Sequence, residues 1–546
     1  MVCKIEFKMK KILIIAVLSA IIFIGGFLRI YNISNAPPSL NWDEAAWGYN
    51  AYSILQIGKD EYGKIMPIFT RSFDEYKSTL PMYLMVPSIK LFGLNAFAVR
   101  LPSVLIGMAS ILVVYFLAKE IFDDKRIALI SSFLFAIEPW SVHLSRVYYD
   151  ANEAMFFLLL GLLLFLKSLH KEKLFLWSIV SFMVSMYTYN SNKILAPLFL
   201  AALVILYHKK IFSFSKKTFH LSLVILAIFI IPFIYLAFKG LTFARVGTTY
   251  IFILWPQTQV LRTVLLNSHS HLNGLWNFFI HNNIYYFVWE VVGRYIGYFS
   301  PYNLFIREPQ EPSTVIAGNS IFYAFEFIPW AVGLFYVFKN TGKYKSIVLL
   351  IVLSVLPAVA TWNWFQPGRV MALLACFSIV ISVGLNEIFK IMPKKLVNLC
   401  LSAFVIYSLV SALYLFESIN VYSPYRDSGN YQPGFKETVP EVMKIEENYN
   451  QVIIDTPQAQ PYIFYLFYGK YNPKEYLSEL DLNYIGTPRK HFDFGKYHFR
   501  KINWIDDKDL KNTLFVGGSN DFPGVKPLMD IKDKFGNTIN YLVVTN

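Results

Sequence analysis

The pattern of apolar and polar residues divides the chain into long hydrophobic runs separated by short polar segments. An α-helix needs about 20 apolar residues to cross the hydrocarbon core of a bilayer. Eleven runs are candidate spans, and they start near residues 11, 100, 128, 151, 174, 194, 218, 321, 347, 368 and 396. Hydrophobic residues make up 55% of the chain and charged residues only 16%, which excludes an ordinary soluble globular protein. The pattern predicts a polytopic α-helical membrane protein with about eleven transmembrane helices.

The basic residues between the runs predict the orientation of the helices. Cytoplasmic loops of membrane proteins are enriched in Lys and Arg. With the N-terminus inside, the inner segments read "KIEFKMKK", "DDKR", "KEK", "HKKIFSFSKK", "KNTGKYK" and "MPKK", and all of them are basic. The first run is long for a signal peptide and lacks a small-x-small cleavage site, so we interpret it as a retained helix. We expect an integral protein of a prokaryotic plasma membrane, with a cytoplasmic N-terminus.

Three larger segments face outward in this topology. Residues 31–99 form a first loop with the interfacial stretch "STLPMYLMVPSIKLFGL", and residues 239–320 form a second loop rich in aromatic residues, His and Asn. Residues 417–546 form a polar tail with a helix-like stretch, "KETVPEVMKIEENY", and the strand-like stretches "NQVIID", "NTLFVGG" and "INYLVV". We predict a transmembrane domain over 1–416 and a small extracytoplasmic α/β domain over 417–546.

The net charge, the cysteines and the histidines exclude several other interpretations. The net charge of +14 comes from Lys and Arg residues between apolar runs, not from a basic face on a soluble domain, so no nucleic-acid partner is expected. No two cysteines fall in extramembrane segments where a disulfide could form. The histidines of the second outer loop lack metal-ligand spacing with acids, so no metal site is indicated. These residues are Cys3, Cys376 and Cys400, and His269, His271 and His281.

Two adjacent carboxylates, Asp43 and Glu44 in "NWDEAAWGYN", follow the first span closely. One interpretation is structural: Asp43 would be the N-cap of a helix "EAAWGYNAYSILQIG", because Asp is favoured at that position. The other is chemical: one carboxylate would be a general base for a nucleophile at the membrane surface. Trp42 and Trp47 could provide apolar walls that raise the pKa of such a base. Both interpretations can hold together.

Four cations lie on the predicted outer side, where the topological bias disfavours them. Their partners could be nearby acids or ordinary phospholipid headgroups, which is the better explanation for any one of them. For four on one face, an anionic group such as a lipid-linked phosphate is a stronger candidate. A polar cluster at the start of the fourth span is mainly structural and could orient one of these arginines. The cations are Lys77, Arg146, Lys193 and Arg369, and the cluster is Asp150, Asn152 and Glu153.

Several stretches together resemble a known family. These are "WDEAAWGYNAYSI", "YKSTLPMYLMVPSIKLFGLNAFAVRLPSVL", "RVYYDANEAMFFLLL" and "YTYNSNKILAPL", with a weaker likeness around Arg369. They are similar to the polyprenyl-phosphate-dependent glycosyltransferases of the membrane-embedded C-type fold. That group includes the protein O-mannosyltransferases and the bacterial lipid A aminoarabinose transferases. The resemblance is strongest over residues 28–200.

The resemblance implies an inverting glycosyltransferase that uses a sugar on a polyprenyl phosphate. It implies that Asp43 is the base, and that Glu44 orients the acceptor or tunes Asp43. It also implies that cations hold the donor phosphate, and that a few further residues support the site. The cations are Lys77, Arg146 and Arg369, with Lys193 as a further member, and the supporting residues are Trp42, Tyr49 and Asp150.

The acceptor could be a glycan, a lipid or a protein. The other expected partners are membrane lipids, and no cofactor or divalent metal is required. The run "DEYKSTLP" departs from the aminoarabinose transferases, in which an acid directly precedes the Lys and prolines follow it. Alternatives are a glycan ligase or polymerase that uses a lipid diphosphate donor, a flippase of lipid-linked sugars, and an inactive membrane scaffold. A flippase should show paired repeats or charges at mid-membrane, whereas here the charges lie at the ends of the spans.

Overall fold

The structure is a computed structural model that describes residues 11–73, 75–242, 283–309, 316–361, 363–426, 431–432, 434–456, 460–480, 493–533 and 536–545. Most of these residues are helical. The helices up to the second outer loop are α1 (Lys11–Ile30), α2 (Trp42–Ile57), α3 (Leu80–Phe92), α4 (Ala96–Phe122), α5 (Lys125–Ile137), α6 (Pro139–Arg146), α7 (Asp150–Ser168), α8 (Leu174–Met186), α9 (Asn192–Leu206), α10 (His208–Ile211) and α11 (Lys216–Phe238). The helices that follow are α12 (Asn283–Gly297), α13 (Phe327–Lys339), α14 (Thr341–Leu353), α15 (Leu356–Val359), α16 (Met371–Ile391), α17 (Lys394–Glu417), α18 (Ser423–Arg426), α19 (Phe435–Ile445), α20 (Pro461–Tyr468), α21 (Pro473–Glu479) and α22 (Trp504–Asp507).

Every predicted span coincides with a helix, but the count of eleven full-length spans is not confirmed. Within the described residues, seven helices are long and apolar enough to cross a membrane, or eight if α5 and α6 form one bent span. The helices at three other predicted positions are shorter: α8 and α13 have 13 residues each, and α9 has 15. Length and composition alone therefore support an integral membrane protein with seven or eight clear spans.

The chain divides into two compact units, which are described separately. The first, the membrane unit, comprises residues 1–31 and 103–416. The second, the outer unit, comprises residues 32–102 and 417–546. The predicted boundary at residue 416 grouped the first outer loop with the membrane helices. In the structure, that loop instead forms one compact unit with the tail.

Within the membrane unit, side chains donate hydrogen bonds to the backbone carbonyls at the bend between α5 and α6. The two helices meet at an angle of 56° at Glu138. A break frees carbonyl groups that a bilayer interior cannot solvate. The buried Arg29 donates to the carbonyls of Phe135 and Ala136 at 3.3 and 2.7 Å, and the Tyr323 hydroxyl donates to the carbonyl of Ile137 at 2.8 Å. These contacts make the bend a defined feature of the unit.

In the described part of the outer unit, seven strands form two sheets. A small antiparallel hairpin pairs β1 (Phe69–Ser72) with β2 (Glu75–Ser78). The larger sheet has the order β4-β3-β5-β7-β6, with β3 parallel to β4 and β5 and with β7 antiparallel to β5 and β6. Its strands are β3 (Gln451–Ile454), β4 (Tyr497–Phe499), β5 (Thr513–Gly517), β6 (Met529–Lys532) and β7 (Thr538–Thr545). The helix and the three strands predicted for the tail are confirmed as α19, β3, β5 and β7.

Candidate active site

The first turn of α2 carries the two acids, and its cap is Asn41. The Asn41 side chain accepts from the backbone N–H of Glu44 at 2.9 Å, and the Glu44 carboxylate accepts from the backbone N–H of Asn41 at 3.0 Å. This reciprocal arrangement is a capping box, which satisfies two backbone donors at the helix start. The prediction that Asp43 is the N-cap was therefore wrong. Asp43 lies inside the first turn, and its carboxylate is not used for capping.

Glu44 is held by a buried ion pair. The Arg100 guanidinium donates to both Glu44 carboxylate oxygens, at 2.8 and 3.1 Å, and neither side chain is exposed to solvent. The remaining Arg100 donors reach backbone carbonyls of the segment that precedes α2, at 2.7 to 3.0 Å. With the capping box, both Glu44 oxygens are occupied by donors from the protein. Arg100 and Glu44 together thus fix the segment before α2 to the N-terminal part of α4.

Asp43 makes a different kind of ion pair, which reaches the surface. Its carboxylate contacts the Lys77 ammonium, and 35% of the Asp43 side chain remains exposed. Lys77 is largely buried and lies over two aromatic rings, 5.6 Å from the centre of Trp47 and 4.9 Å from the centre of Phe73. Cation–π contacts of this kind confine an ammonium without neutralising it. The result is a partly exposed carboxylate paired with a largely buried positive charge.

The hairpin β1–β2 places Lys77 at this position. Lys77 pairs with Thr70 across the hairpin, and the Thr70 hydroxyl donates to Asp60 at 2.7 Å. Asp60 in turn accepts from the backbone N–H groups of Tyr62 and Lys64, at 3.0 and 2.8 Å. A buried carboxylate with three donors organises the loop that leads into β1. The Lys77 ammonium therefore lies on a hairpin whose position is fixed by hydrogen bonds.

Close packing holds α2 itself. A Cβ on Gly48 would lie 2.6 Å from the Phe467 ring and 2.7 Å from Val99, so only glycine allows this approach. Tyr49 is fully buried and its hydroxyl donates to the carbonyl of Tyr471 at 3.2 Å. Burial raises the pKa of Tyr49, so the phenol stays a donor. These contacts fix the helix whose first turn carries Asp43.

Two other expected site residues have defined surroundings. Trp42 is 39% exposed, and its backbone N–H donates to Gln432 at 3.1 Å. Trp47 is buried and contacts the Lys77 ammonium. Of the tryptophans proposed to flank Asp43, Trp47 therefore lies against the cation of the ion pair.

The buried carboxyl of Glu61, like that of Asp60, lies in this unit but was not among the predicted site residues. Its Oε1 accepts from the Asn50 side chain at 3.0 Å, and its backbone N–H donates back to Asn50 at 2.8 Å. Burial raises the pKa of Glu61 from 4.5 to about 8, although the nearby Lys77 opposes this shift. The only sequence signal was a second acidic pair, "DE" at 60–61, in the same outer loop.

The membrane unit contains the other predicted cations, and two of them contact backbone carbonyls. Arg146 is buried and donates to the carbonyls of Leu28 and Arg29, at 2.7 and 3.2 Å, in the last turn of α1. Lys193 is buried and its ammonium donates to the carbonyl of Thr242 at 2.8 Å. A cation at a helix C-terminus stabilises the exposed carbonyls there, which gives Arg146 a structural role.

The polar cluster at the start of α7 is also positioned within this unit. Asp150 is the first residue of α7 and is partly exposed. Asn152 donates to both the carbonyl and the hydroxyl of Ser103, each at 3.0 Å. Glu153 is fully buried. Asn152 thus ties α7 to α4, and the mainly structural role of the cluster as a whole stays a prediction.

Arg369 lies close to a second arginine that the sequence analysis did not single out. The Arg369 guanidinium contacts the Thr361 hydroxyl, and Arg294 donates to the Thr361 carbonyl at 2.9 Å. Arg294 also pairs with Glu290 at 3.1 Å and lies 4.9 Å from the centre of the Trp364 ring. Two guanidinium groups therefore converge on one residue. The sequence signal was the pair Glu290 and Arg294, four residues apart on α12.

Comparisons with known proteins find a family model and a curated relative that match part of the chain. Residues 77–236 match the family model of dolichyl-phosphate-mannose-protein mannosyltransferases. Over 198 residues the chain is 29% identical to YkcB of Bacillus subtilis, which is named as a mannosyltransferase. This match spans 35% of the chain and 26% of YkcB. The chain thus spans about a quarter of the length of the curated relative it matches.

Solved structures share the fold over nearly the whole chain. ArnT from Cupriavidus metallidurans, bound to undecaprenyl phosphate, is similar with a TM-score of 0.54, at 12% identity and with 97% of each chain covered. The Archaeoglobus fulgidus oligosaccharyltransferase, in complex with Zn and sulfate, is similar with a TM-score of 0.50, at 16% identity. That match covers 87% of this chain and 59% of the oligosaccharyltransferase.

The resemblance seen in the sequence is confirmed. The chain has the membrane-embedded C-type fold, and over residues 77–236 it is similar to the dolichyl-phosphate-mannose-protein mannosyltransferases.

Proposed function

We propose that the protein transfers a sugar from a polyprenyl-phosphate donor to an acceptor hydroxyl, with inversion at the anomeric carbon, on the outer face of a prokaryotic plasma membrane. The N-terminus is then cytoplasmic and the outer unit extracytoplasmic, as the distribution of basic segments indicates. The donor to test first is a polyprenyl-phosphate mannose, because the family model that matches residues 77–236 is described by a dolichyl-phosphate mannose. The acceptor class is a glycan, a lipid or a protein.

The observation that carries this proposal is the pairing of Asp43 with Lys77. A base for this reaction must be ionised, accessible and close to the leaving phosphate. Asp43 is partly exposed and sits beside the one cation that the hairpin presents to it. Glu44 is fully buried and is bound by Arg100 and by the cap. Asp43 is therefore the better candidate for the base, and Glu44 for a structural anchor.

The chemistry follows from these two groups. The acceptor hydroxyl transfers its proton to the Asp43 carboxylate while its oxygen attacks the anomeric carbon. The bond between that carbon and the phosphate oxygen breaks, and its electron pair leaves with the polyprenyl phosphate. Negative charge grows on the phosphate in the transition state, and the Lys77 ammonium stabilises it. Attack opposite to the leaving group inverts the anomeric centre.

The membrane unit supplies a further cationic position that we propose contributes to donor binding. Arg369 and Arg294 converge on Thr361, and paired guanidinium groups suit phosphate oxygens. Arg146 and Lys193 were also predicted to hold the donor phosphate. Their carbonyl contacts favour structural roles for both, and their donor contacts stay predictions. No divalent metal is needed in this scheme, since cations of the chain neutralise the phosphate, and transfer in the presence of EDTA tests that point.

The decisive variant is Asp43→Asn, which keeps the shape of the side chain and removes the base. The matched control is Asp530→Asn, because Asp530 also pairs with a lysine, Lys532, in the same unit at 3.5 Å. General-base catalysis contributes roughly 100-fold to 10,000-fold, so we expect Asp43→Asn to lose about 100-fold or more in transfer rate. The control should keep the wild-type rate. Normal transfer by Asp43→Asn would contradict the proposal.

Donor choice separates the alternatives. Efficient transfer from a lipid diphosphate oligosaccharide, with none from a monophosphate sugar, would instead identify a ligase or polymerase. Movement of lipid-linked sugar across vesicles without transfer would identify a flippase. A scaffold would show neither activity.

A further inference from the structure

Glu61 lies in the loop between α2 and β1 of the outer unit, and the structure buries it without a full ion pair. Only 1% of the residue is exposed. Asn50 binds it twice, through its side-chain amide and through the backbone N–H of Glu61. Asn50 is itself fixed on α2, where its amide also donates to the carbonyl of Ala46 at 2.9 Å. The carboxyl is thus held at one place beside the helix that carries Asp43.

The second oxygen of Glu61 is the unusual feature. Oε2 makes no hydrogen bond of normal geometry within the described residues, although the Tyr462 hydroxyl is close enough to lower the pKa of the carboxyl. A buried carboxylate with an unsatisfied oxygen is costly, and a proton on the carboxyl removes that cost. The titratable groups that face Glu61 are Asp60, Lys77, Tyr49, Tyr462 and Tyr476. Lys77 is the one cation among them.

The Lys77 ammonium therefore interacts electrostatically with two carboxyl groups, those of Asp43 and Glu61. Lys77 contacts Asp43 directly, and its charge also acts on Glu61. The rings of Trp47 and Phe73 hold the ammonium against α2, and Asn50, which binds Glu61, lies three residues after Trp47 on that helix. With a neutral Glu61, the full charge of Lys77 is available to Asp43 and to a donor phosphate. With an ionised Glu61, a second anion in a low-dielectric setting competes for the same ammonium.

We propose that Glu61 is a positioning residue for Lys77. While Glu61 is protonated, the Lys77 ammonium stays at the reaction centre. When Glu61 ionises, its carboxylate attracts the ammonium away from that centre. This inference rests on the proposed function, in which Lys77 meets the donor phosphate. Its consequence is specific to donor binding. When Glu61 ionises, Lys77 is withdrawn from the phosphate and a negative charge is added nearby, so the KM for the donor rises.

The test compares the pH dependence of donor KM and of kcat in the wild type and in Glu61→Gln. The wild-type KM should rise about tenfold or more through a midpoint near pH 8, because a charge-assisted contact to phosphate is lost. Glu61→Gln should keep a low KM across that range. The control is Glu441→Gln, which removes a partly exposed carboxyl in the same unit that pairs with Lys444, and it should follow the wild type. A rise in KM that persists unchanged in Glu61→Gln would overturn the proposal.

A second readout does not depend on turnover. The infrared difference spectrum between the wild type and Glu61→Gln should contain a protonated-carboxyl band at neutral pH, and this band should disappear as the pH passes 8. If Glu61→Gln does not fold, Glu61→Asp keeps a titratable group at a longer distance from Lys77, and its KM midpoint should move. An unmoved midpoint counts against the proposal. Loss of activity in Asp43→Asn together with wild-type pH behaviour in Glu61→Gln would refute the role of Glu61 and leave the proposed function standing.

Discussion

The ion pair between Glu44 and Arg100 allows the structural role of Glu44 to be measured separately from the proposed catalytic role of its neighbour, Asp43. Glu44→Gln removes the negative charge and leaves the Arg100 guanidinium fully buried. Removing one partner of a buried pair typically costs about 3–5 kcal/mol. Arg100 keeps three backbone carbonyl acceptors, and one oxygen of Gln can still accept, so we expect a loss near the lower end, about 3 kcal/mol. The cost should appear in stability and not in the chemical step.

The assay is unfolding of the purified protein in detergent, followed by tryptophan fluorescence, alongside the transfer rate of the folded fraction. The partly exposed pair of Glu441 and Lys444 provides the control, because Glu441→Gln should change stability by less than about 1 kcal/mol. Adding Arg100→Met to Glu44→Gln should cost much less than the sum of the two single changes, since neither charge then remains unpaired. A stable Glu44→Gln protein with a transfer rate as low as that of Asp43→Asn would refute the reasoning and make Glu44 the base.

Three further outcomes are expected. Gly48→Ala should lower the melting temperature and destabilise the fold by about 1–3 kcal/mol, because its Cβ would overlap Phe467 and Val99; unchanged melting would show that this packing adjusts freely. Arg369→Ala should raise the donor KM at least severalfold, and a wild-type KM would remove Arg369 from donor binding. Glu61 releases its proton near pH 4.5 when unfolded and near pH 8 when folded, so wild-type stability falls as the pH rises between these values. The melting temperature of Glu61→Gln, relative to the wild type, should therefore rise across that window and level off above it, and a constant difference would contradict the shift.

Local patterns predicted much of the fold. Within the described residues, hydropathy located all the helices that are long and apolar enough to cross a membrane, because burial in lipid requires long apolar runs whatever the tertiary packing. It did not predict their lengths, and helices such as α8 and α9 are shorter than the runs suggested. Alternation and β-branched residues predicted three strands of the tail correctly. The grouping of residues 32–102 with that tail depends on long-range packing, which no local pattern encodes.

The site shows the same division. The capping box of Asn41 and Glu44 has a sequence signature, an N-cap residue followed three positions later by Glu. This signature predicts Asn41, and not Asp43, as the N-cap of α2. The pairing of Glu44 with Arg100 joins residues 56 positions apart, and only the folded chain shows it. The contact between Asp43 and Lys77 likewise depends on a short hairpin whose register is set by Thr70 and Asp60.

The most direct test of the central claim is the single-turnover rate of sugar transfer from a saturating polyprenyl-phosphate donor, measured for wild type, Asp43→Asn and Glu44→Gln in matched preparations. Saturation and a single turnover isolate the chemical step from donor binding and product release. We predict a loss of about 100-fold or more for Asp43→Asn and only a few-fold change for folded Glu44→Gln. Equal rates for Asp43→Asn and the wild type, or the larger loss in Glu44→Gln, would contradict the account.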